Sequence, residues 1–217
     1  MSHDPVISGL ISSPDNVEII RDQIAAILLL ELENQKKLAA QAHLADKADY
    51  DIAVYLEKQF SFDIEGQSEK FPAVNVQLIQ SDETTGSSQV DASKHTAVFY
   101  LDCYGCGNAG NADTDKAAAI KAWKVGRLVR NIIGAGQYAY LGLRPGKDGK
   151  AGVCSRKIRS RSTGVPQGLP DSAYQVVICR LELEVSFYEF SPQAAGVKYE
   201  LYDFVCRDAD GRIYFHI

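Results

Sequence analysis

The sequence predicts an α+β fold: an antiparallel sheet with two helices packed on one face, plus a C-terminal β-hairpin arm. Three observations carry that prediction. Residues 178 to 190 alternate cleanly, with Cys179, Leu181, Leu183, Val185 and Phe187 apolar and Arg180, Glu182, Glu184 and Ser186 polar, the period-two signature of a half-buried strand. Two other stretches place their apolar residues at helical spacing. The segments follow the order α-β-β-β-α-β-β and then a hairpin, so neighbouring strands are expected to pair antiparallel under two helices on one side.

The first helix is announced by "SSPDNVEIIRDQIAAILLLELENQKKLAAQ". Ser13 can cap it, Pro14 suits its first position, and Asp15 and Glu18 favour the positive end of its dipole. Ile20, Ile24, Ile27 and Leu28 then mark the buried stripe. In "DIAVYLEKQFSF" the period changes to two, through Ile52, Val54, Leu56, Phe60 and Phe62, and "FPAVNVQLIQ" repeats the pattern with Val74, Val76 and Leu78. The polar run 81–95 holds almost no large apolar side chain and is expected to form a loop. "TAVFYLDCYG" is the third strand, with Ala97, Phe99, Leu101 and Cys103 on one face.

The second helix is expected over "NADTDKAAAIKAWKVGRLVRNIIGAG", capped by Asp113 or Thr114 and stopped at Gly134-Ala135-Gly136. Its apolar stripe is Ala118, Val125, Leu128, Val129, Ile132 and Ile133. After the turn-rich "RPGKDGKAG", "VCSRKIRSRS" reads as a fourth strand, and a fifth begins near Tyr174 and ends before Pro192. Residues 1–195 then form the main domain and 196–217 a hairpin extension around the turn Asp208–Gly211. Both faces of that extension carry large apolar groups, among them Tyr202, Phe204, Tyr214 and Phe215. A lone hairpin is marginal in water, so the extension is expected to dock as an arm on a neighbouring molecule.

Composition narrows the function. With 46% hydrophobic and 24% charged residues among 217, the chain can bury a core without disulfides, and its formal charge of -5 argues against a general nucleic-acid binder. No secretory leader is recognisable at the start, and the run Ile24–Leu30 is too short to span a bilayer, so no membrane association is expected. Five cysteines, at 103, 106, 154, 179 and 206, do not form the pattern of a small secreted disulfide framework.

Motifs of chemistry are weak. Cys103 and Cys106 have Cys-x-x-Cys spacing, but no second ligand pair lies at zinc-site spacing elsewhere. The plainer reading puts Cys103 on a core face and Cys106 in a loop, and a disulfide involving Cys206 stays open. His3, His43, His95 and His216 are scattered and read as surface residues. "GCGNAG" lacks the Lys-Ser/Thr ending of a phosphate loop, and "RDADGR" lacks the downstream Glu of a calcium loop.

Charged rows on the elements are more informative. "SRKIRSR" is expected to place Lys157, Arg159 and Arg161 on one face with Arg156 opposite. They meet either DNA phosphates or acidic groups such as Glu182 and Glu184, within the chain or across subunits. The second helix adds Lys116, Lys121, Lys124, Arg127 and Arg130 on its outer side with Trp123 among them. An exposed Trp amid arginines is an interface candidate, unless a loop folds over it.

The runs "VYLEKQF", "FPAVNVQL", "AVFYLDCYGCG", "KAAAIKAWKVGRLVRNII" leading into "YLGL", and "VVICRLELEVSFYEFSPQ" together resemble the tail terminator proteins of tailed bacteriophages. The resemblance covers roughly residues 16 to 193. It implies a small sheet with helices on one face, and a ring, usually of six copies, that caps the tail tube and offers the joint to the head. The implied partners are other copies of the chain, the tail tube protein, a neck or head-tail connector protein and, in a contractile tail, the sheath protein. DNA would pass through the lumen without tight binding. Neither catalytic residues nor a cofactor are implied, and the location would be the tail-neck junction of the virion, after assembly in the bacterial cytoplasm. On this resemblance the polar face of the 178–190 strand, with Tyr188 at its end, belongs to the contacts within the ring or with the tube. Another tube, neck or tail-completion protein is the alternative within the virion, and an enzyme or metal protein built on Cys103 and Cys106 the alternative outside it.

Overall fold

In a computed structural model of the chain, the described residues are 14–45, 47–59, 71–83, 92–107, 114–144, 152–166 and 175–190, with the backbone of 205–207 and 213–216. Helix α1 spans Asn16–Gln41 and helix α2 Thr114–Gly134. The strands are β1 (Ala53–Leu56), β2 (Ala73–Glu83), β3 (Ala92–Cys106), β4 (Gly152–Gly164) and β5 (Val176–Phe190), joined in one sheet in the order β1-β2-β3-β5-β4. Two further strands, β6 (Val205–Arg207) and β7 (Ile213–His216), pair antiparallel with each other. Tyr202 and Phe204 lie outside the described residues, as do the side chains of Tyr214 and Phe215.

The α+β arrangement agrees with the expectation, and both helices cover one face of the sheet. Ile20, Ile24, Leu28 and Leu32 of α1 and Ala118, Val125, Val129 and Ile133 of α2 join one core with Val74, Val76, Phe99, Leu101 and the odd-numbered apolar residues of β5. That core includes Phe99 and Phe187, both fully buried, and area removed from water on this scale is the main term favouring the fold. Where α2 crosses β3 the two backbones nearly touch. A Cβ at Gly105 would lie 2.2 Å from the Ala118 carbonyl oxygen, so only glycine permits the crossing.

Several details differ from the sequence expectation for identifiable reasons. Asp15, not Ser13, caps α1: it accepts from the Val17 N–H at 3.0 Å while Glu18 accepts from the Asp15 N–H at 3.1 Å, a reciprocal capping box. The sheet is mixed, because β1 runs parallel to β2 while the other pairs are antiparallel. A parallel pair needs a crossover, and the chain leaving β1 is held for it by Asn75. This fully buried side chain on β2 accepts from the Lys58 N–H at 3.1 Å and donates to the Lys58 carbonyl at 2.7 Å. The expected 81–95 loop is strand at both ends, since β2 reaches Glu83 and β3 begins at Ala92, with Glu83 opposite His95.

Candidate interaction surface

The face of the sheet away from the helices carries the polar rows of β3, β5 and β4. Asp102 on β3 lies opposite Arg180 on β5. The Arg180 guanidinium donates twice to the carboxylate, at 2.7 Å each, and stacks over the Tyr100 ring at 4.1 Å. The Asp102 side chain is only 2% exposed and that of Arg180 39%, so the arginine roofs a buried charge. Hydrogen bonding to Asp102 raises the Arg180 pKa above its ordinary value despite the opposing effect of burial. One strand further out, Arg159 reaches both Glu182 at 3.4 Å and Glu184 at 3.3 Å, and Ser160 donates to Glu182 at 3.1 Å. Lys157 sits opposite Glu184, and Tyr188 opposite Gly152.

The structure separates the expected basic row. A register shift between Ile158 and Ser160 turns Arg161 to the helix side, where its Nε donates to the buried Cys179 Sγ at 3.2 Å. An added residue in one strand reverses which face the following side chains take. Arg156 lies on that helix side as expected, donating to the carbonyls of Tyr138 at 2.6 Å and Ala135 at 2.5 Å, which closes the turn after α2. Arg159 therefore belongs to a network within the chain, the plainer of the two readings. Lys124 also faces inward: it pairs with Asp49 at 3.3 Å and covers the Tyr50 ring at 4.3 Å.

Trp123 stands where an interface residue would. It is 47% exposed, and its indole N–H donates to Thr163 Oγ1 at 3.1 Å, which fixes the ring beside the β4 edge. Ile120 precedes it by one helical turn and is 52% exposed, while Arg127 and Arg130 continue the same exposed stripe. Among the described residues neither arginine has an ion-pair partner. At the opposite side of the sheet, β1 covers only Ala73–Val76 of β2. Beyond that pairing Glu57 accepts from the Leu78 N–H at 2.8 Å, and among the described residues no strand pairs with the far end of β2, where Asp82 and Glu83 are exposed. Exposed arginines of α2 beside β4 and exposed carboxylates at the end of β2 thus lie on opposite sides of the sheet.

The cysteine motif does not form a metal site. Three residues along an extended strand span about 10 Å and end on the opposite face. Accordingly Cys103 lies in the helix-side core, whereas Cys106, the last residue of β3 and not a loop residue, packs near Ala73, Tyr104 and Val176 on the other side. His95 is not the surface residue expected, since its ring stacks on Phe187 at 5.6 Å. Sequence reading missed the Asp102–Arg180 pair altogether: alternation places each residue on the polar face, but only the pairing register brings them together.

Comparison with protein-family models finds no match, and no curated protein matches the chain. Among the described residues no helix is long and apolar enough to cross a membrane.

Proposed function

We propose that the chain is a structural subunit of a bacteriophage tail, forming a head-to-tail ring that caps the tail tube, ends its elongation and provides the joint to the head and neck. The sequence resemblance supplies the family and the six-fold count. The observation that favours a ring is that exposed arginines of α2 and exposed carboxylates at the end of β2 lie on opposite sides of the sheet. A closed ring is built from heterologous contacts, in which one patch of a subunit meets a different patch of the next. The Trp123, Arg127 and Arg130 stripe beside β4 and the Asp82–Glu83 end of β2 make such a complementary pair. Trp and Arg are the residue types that dominate interface energetics, and charge complementarity sets orientation.

The network of Arg159, Glu182 and Glu184 leaves the helix-free face polar and largely self-neutralised, a surface that DNA can pass without being held. Duplex DNA at physiological salt is accordingly expected to show no gel shift at micromolar protein. Submicromolar binding with a steep salt dependence would convert the basic strand into a nucleic-acid site. The functional test is electron microscopy of particles assembled without the chain. Tubes of uncontrolled, excessive length are expected, and tubes of normal length joined to heads would refute the proposal.

A further inference from the structure

Helix α1 carries leucines where a surface helix carries polar residues. Ile24, Leu28 and Leu32 are buried in the core, whereas Leu29 is 54% and Leu30 66% exposed. Ala26, one turn before Leu30, is exposed as well. Successive helical residues stand about 100° apart, so Leu28, Leu29 and Leu30 carry apolar surface from the core side round to the outer side. A helix that is apolar on more than its core side is one that another element covers. Leu29 and Leu30 line an open cleft of about 610 Å³ together with Glu31, Glu33, Asn34 and Lys37, an apolar centre with a polar rim of the kind that protein interfaces have.

The same chain holds a segment with the matching need. Among the described residues β6 and β7 pair with each other and with no strand of the main sheet, and a lone two-stranded hairpin is marginal in water. The sequence of that segment includes Tyr202, Phe204, Val205, Tyr214 and Phe215, which call for cover. The hairpin does not cover α1 of its own chain, because Leu29 and Leu30 stay exposed. Residues 191–204 separate β5 from β6, and fully extended they reach about 45 Å. That is comparable with the width of a domain of this size, roughly 40 Å, so the hairpin can reach α1 of an adjacent subunit.

We propose that residues 196–217 of one subunit dock on the Leu29–Leu30 ridge of α1 in a second copy of the chain. The inference rests on the ring reading and assigns the ring a contact of its own. Arm and ridge are different surfaces, so the contact is heterologous: each subunit gives its arm to one neighbour and accepts an arm from the other, the kind of contact that closes into a ring. It covers the exposed leucines of α1 and the aromatic residues of the arm in one step, and neither surface is then left against water.

Two full-length variants test it by complementation: Leu30→Glu spoils the ridge and keeps the arm, and Phe215→Glu spoils the arm and keeps the ridge. In low salt, where the wild type assembles, each variant alone is expected to sediment as a single subunit, and an equimolar mixture as a two-subunit species held by one arm on one ridge. Assembly of either variant like the wild type, or a mixture of folded variants that stays monomeric, overturns the proposal. Photo-crosslinking from Leu30→benzoylphenylalanine in the full chain, with isotopically labelled and unlabelled subunits mixed, decides the matter where a charged variant does not fold. Crosslinks between labelled and unlabelled chains, ending in residues 196–217, are expected, and crosslinks within one chain or to another region overturn it. If wild type and both variants all assemble, the arm contact fails and the ring reading stands; if the wild type never assembles, both fail.

Discussion

Asp102 and Arg180 show how much depends on single side chains on the helix-free face. The carboxylate is almost fully buried, and Arg180 supplies both its hydrogen bonds and its cover. Removing one partner of such a pair strands the other, and the stranded charge determines the cost. Arg180→Met leaves a buried carboxylate and should cost about 2–3 kcal/mol, reduced from the fully buried case because Arg180 is partly solvated. Asp102→Asn leaves a guanidinium that can turn to water and should cost about 1 kcal/mol. Urea unfolding measures both, and equal costs would mean that Asp102 is better hydrated than its position implies. Cys103 sets an alkaline limit. Burial, followed by the influence of Cys179 and Asp102, pushes its thiol well above the ordinary value, with Arg161 opposing. A folded-state pKa above the unfolded one, about 8.5, gives stability that is complete below that pH and lost as pH rises. Stability should therefore decline above about pH 8.5, and Cys103→Ala should flatten that part of the profile.

Elements meet through a few tight contacts, and α2 against β5 offers a clean test. Gly126→Ala places a Cβ 2.6 Å from Cys179 Sγ. Overpacking of this kind should cost about 1–3 kcal/mol, more than the gain of about 1 kcal/mol in helix propensity. In a Cys179→Ala background the sulfur is gone, and the same change should be neutral or stabilising. The resulting coupling of about 1–3 kcal/mol in a double-mutant cycle would locate the contact, and additivity would remove it.

The same scale explains what the sequence disclosed. Unbroken alternation over Cys179–Phe187 and the helical spacing of Ile20, Ile24 and Leu28 reflect burial on one side, which any homogeneous element records in its residues. The position of Arg161 was hidden, because a shift after Ile158 changes faces without altering composition. The direction of β1 was hidden too, since its burial pattern is the same whether it runs parallel or antiparallel. Of the candidate surface, Trp123 and Arg127 were legible from their helical positions. The partners of Arg159, and the placement of Asp82 and Glu83, depend on strand order, which no local pattern encodes.

At the scale of the whole molecule, the described residues place exposed Trp123, Arg127 and Arg130 beside β4 and exposed Asp82 and Glu83 at the end of β2. Trp123→Ala removes a hydrogen bond to Thr163 and an exposed ring, and should cost the isolated subunit about 1 kcal/mol. Its main effect should be on association, as should that of Arg127→Glu, which reverses charge within the stripe without touching the core. The central claim is tested most directly by sedimentation velocity of the full chain over a range of concentrations and ionic strengths. The account predicts a closed oligomer of defined copy number at low salt that falls apart to subunits as salt rises, with both variants shifted towards the subunit. A monomer at every concentration in low salt, or an oligomer indifferent to salt and to both substitutions, would contradict it.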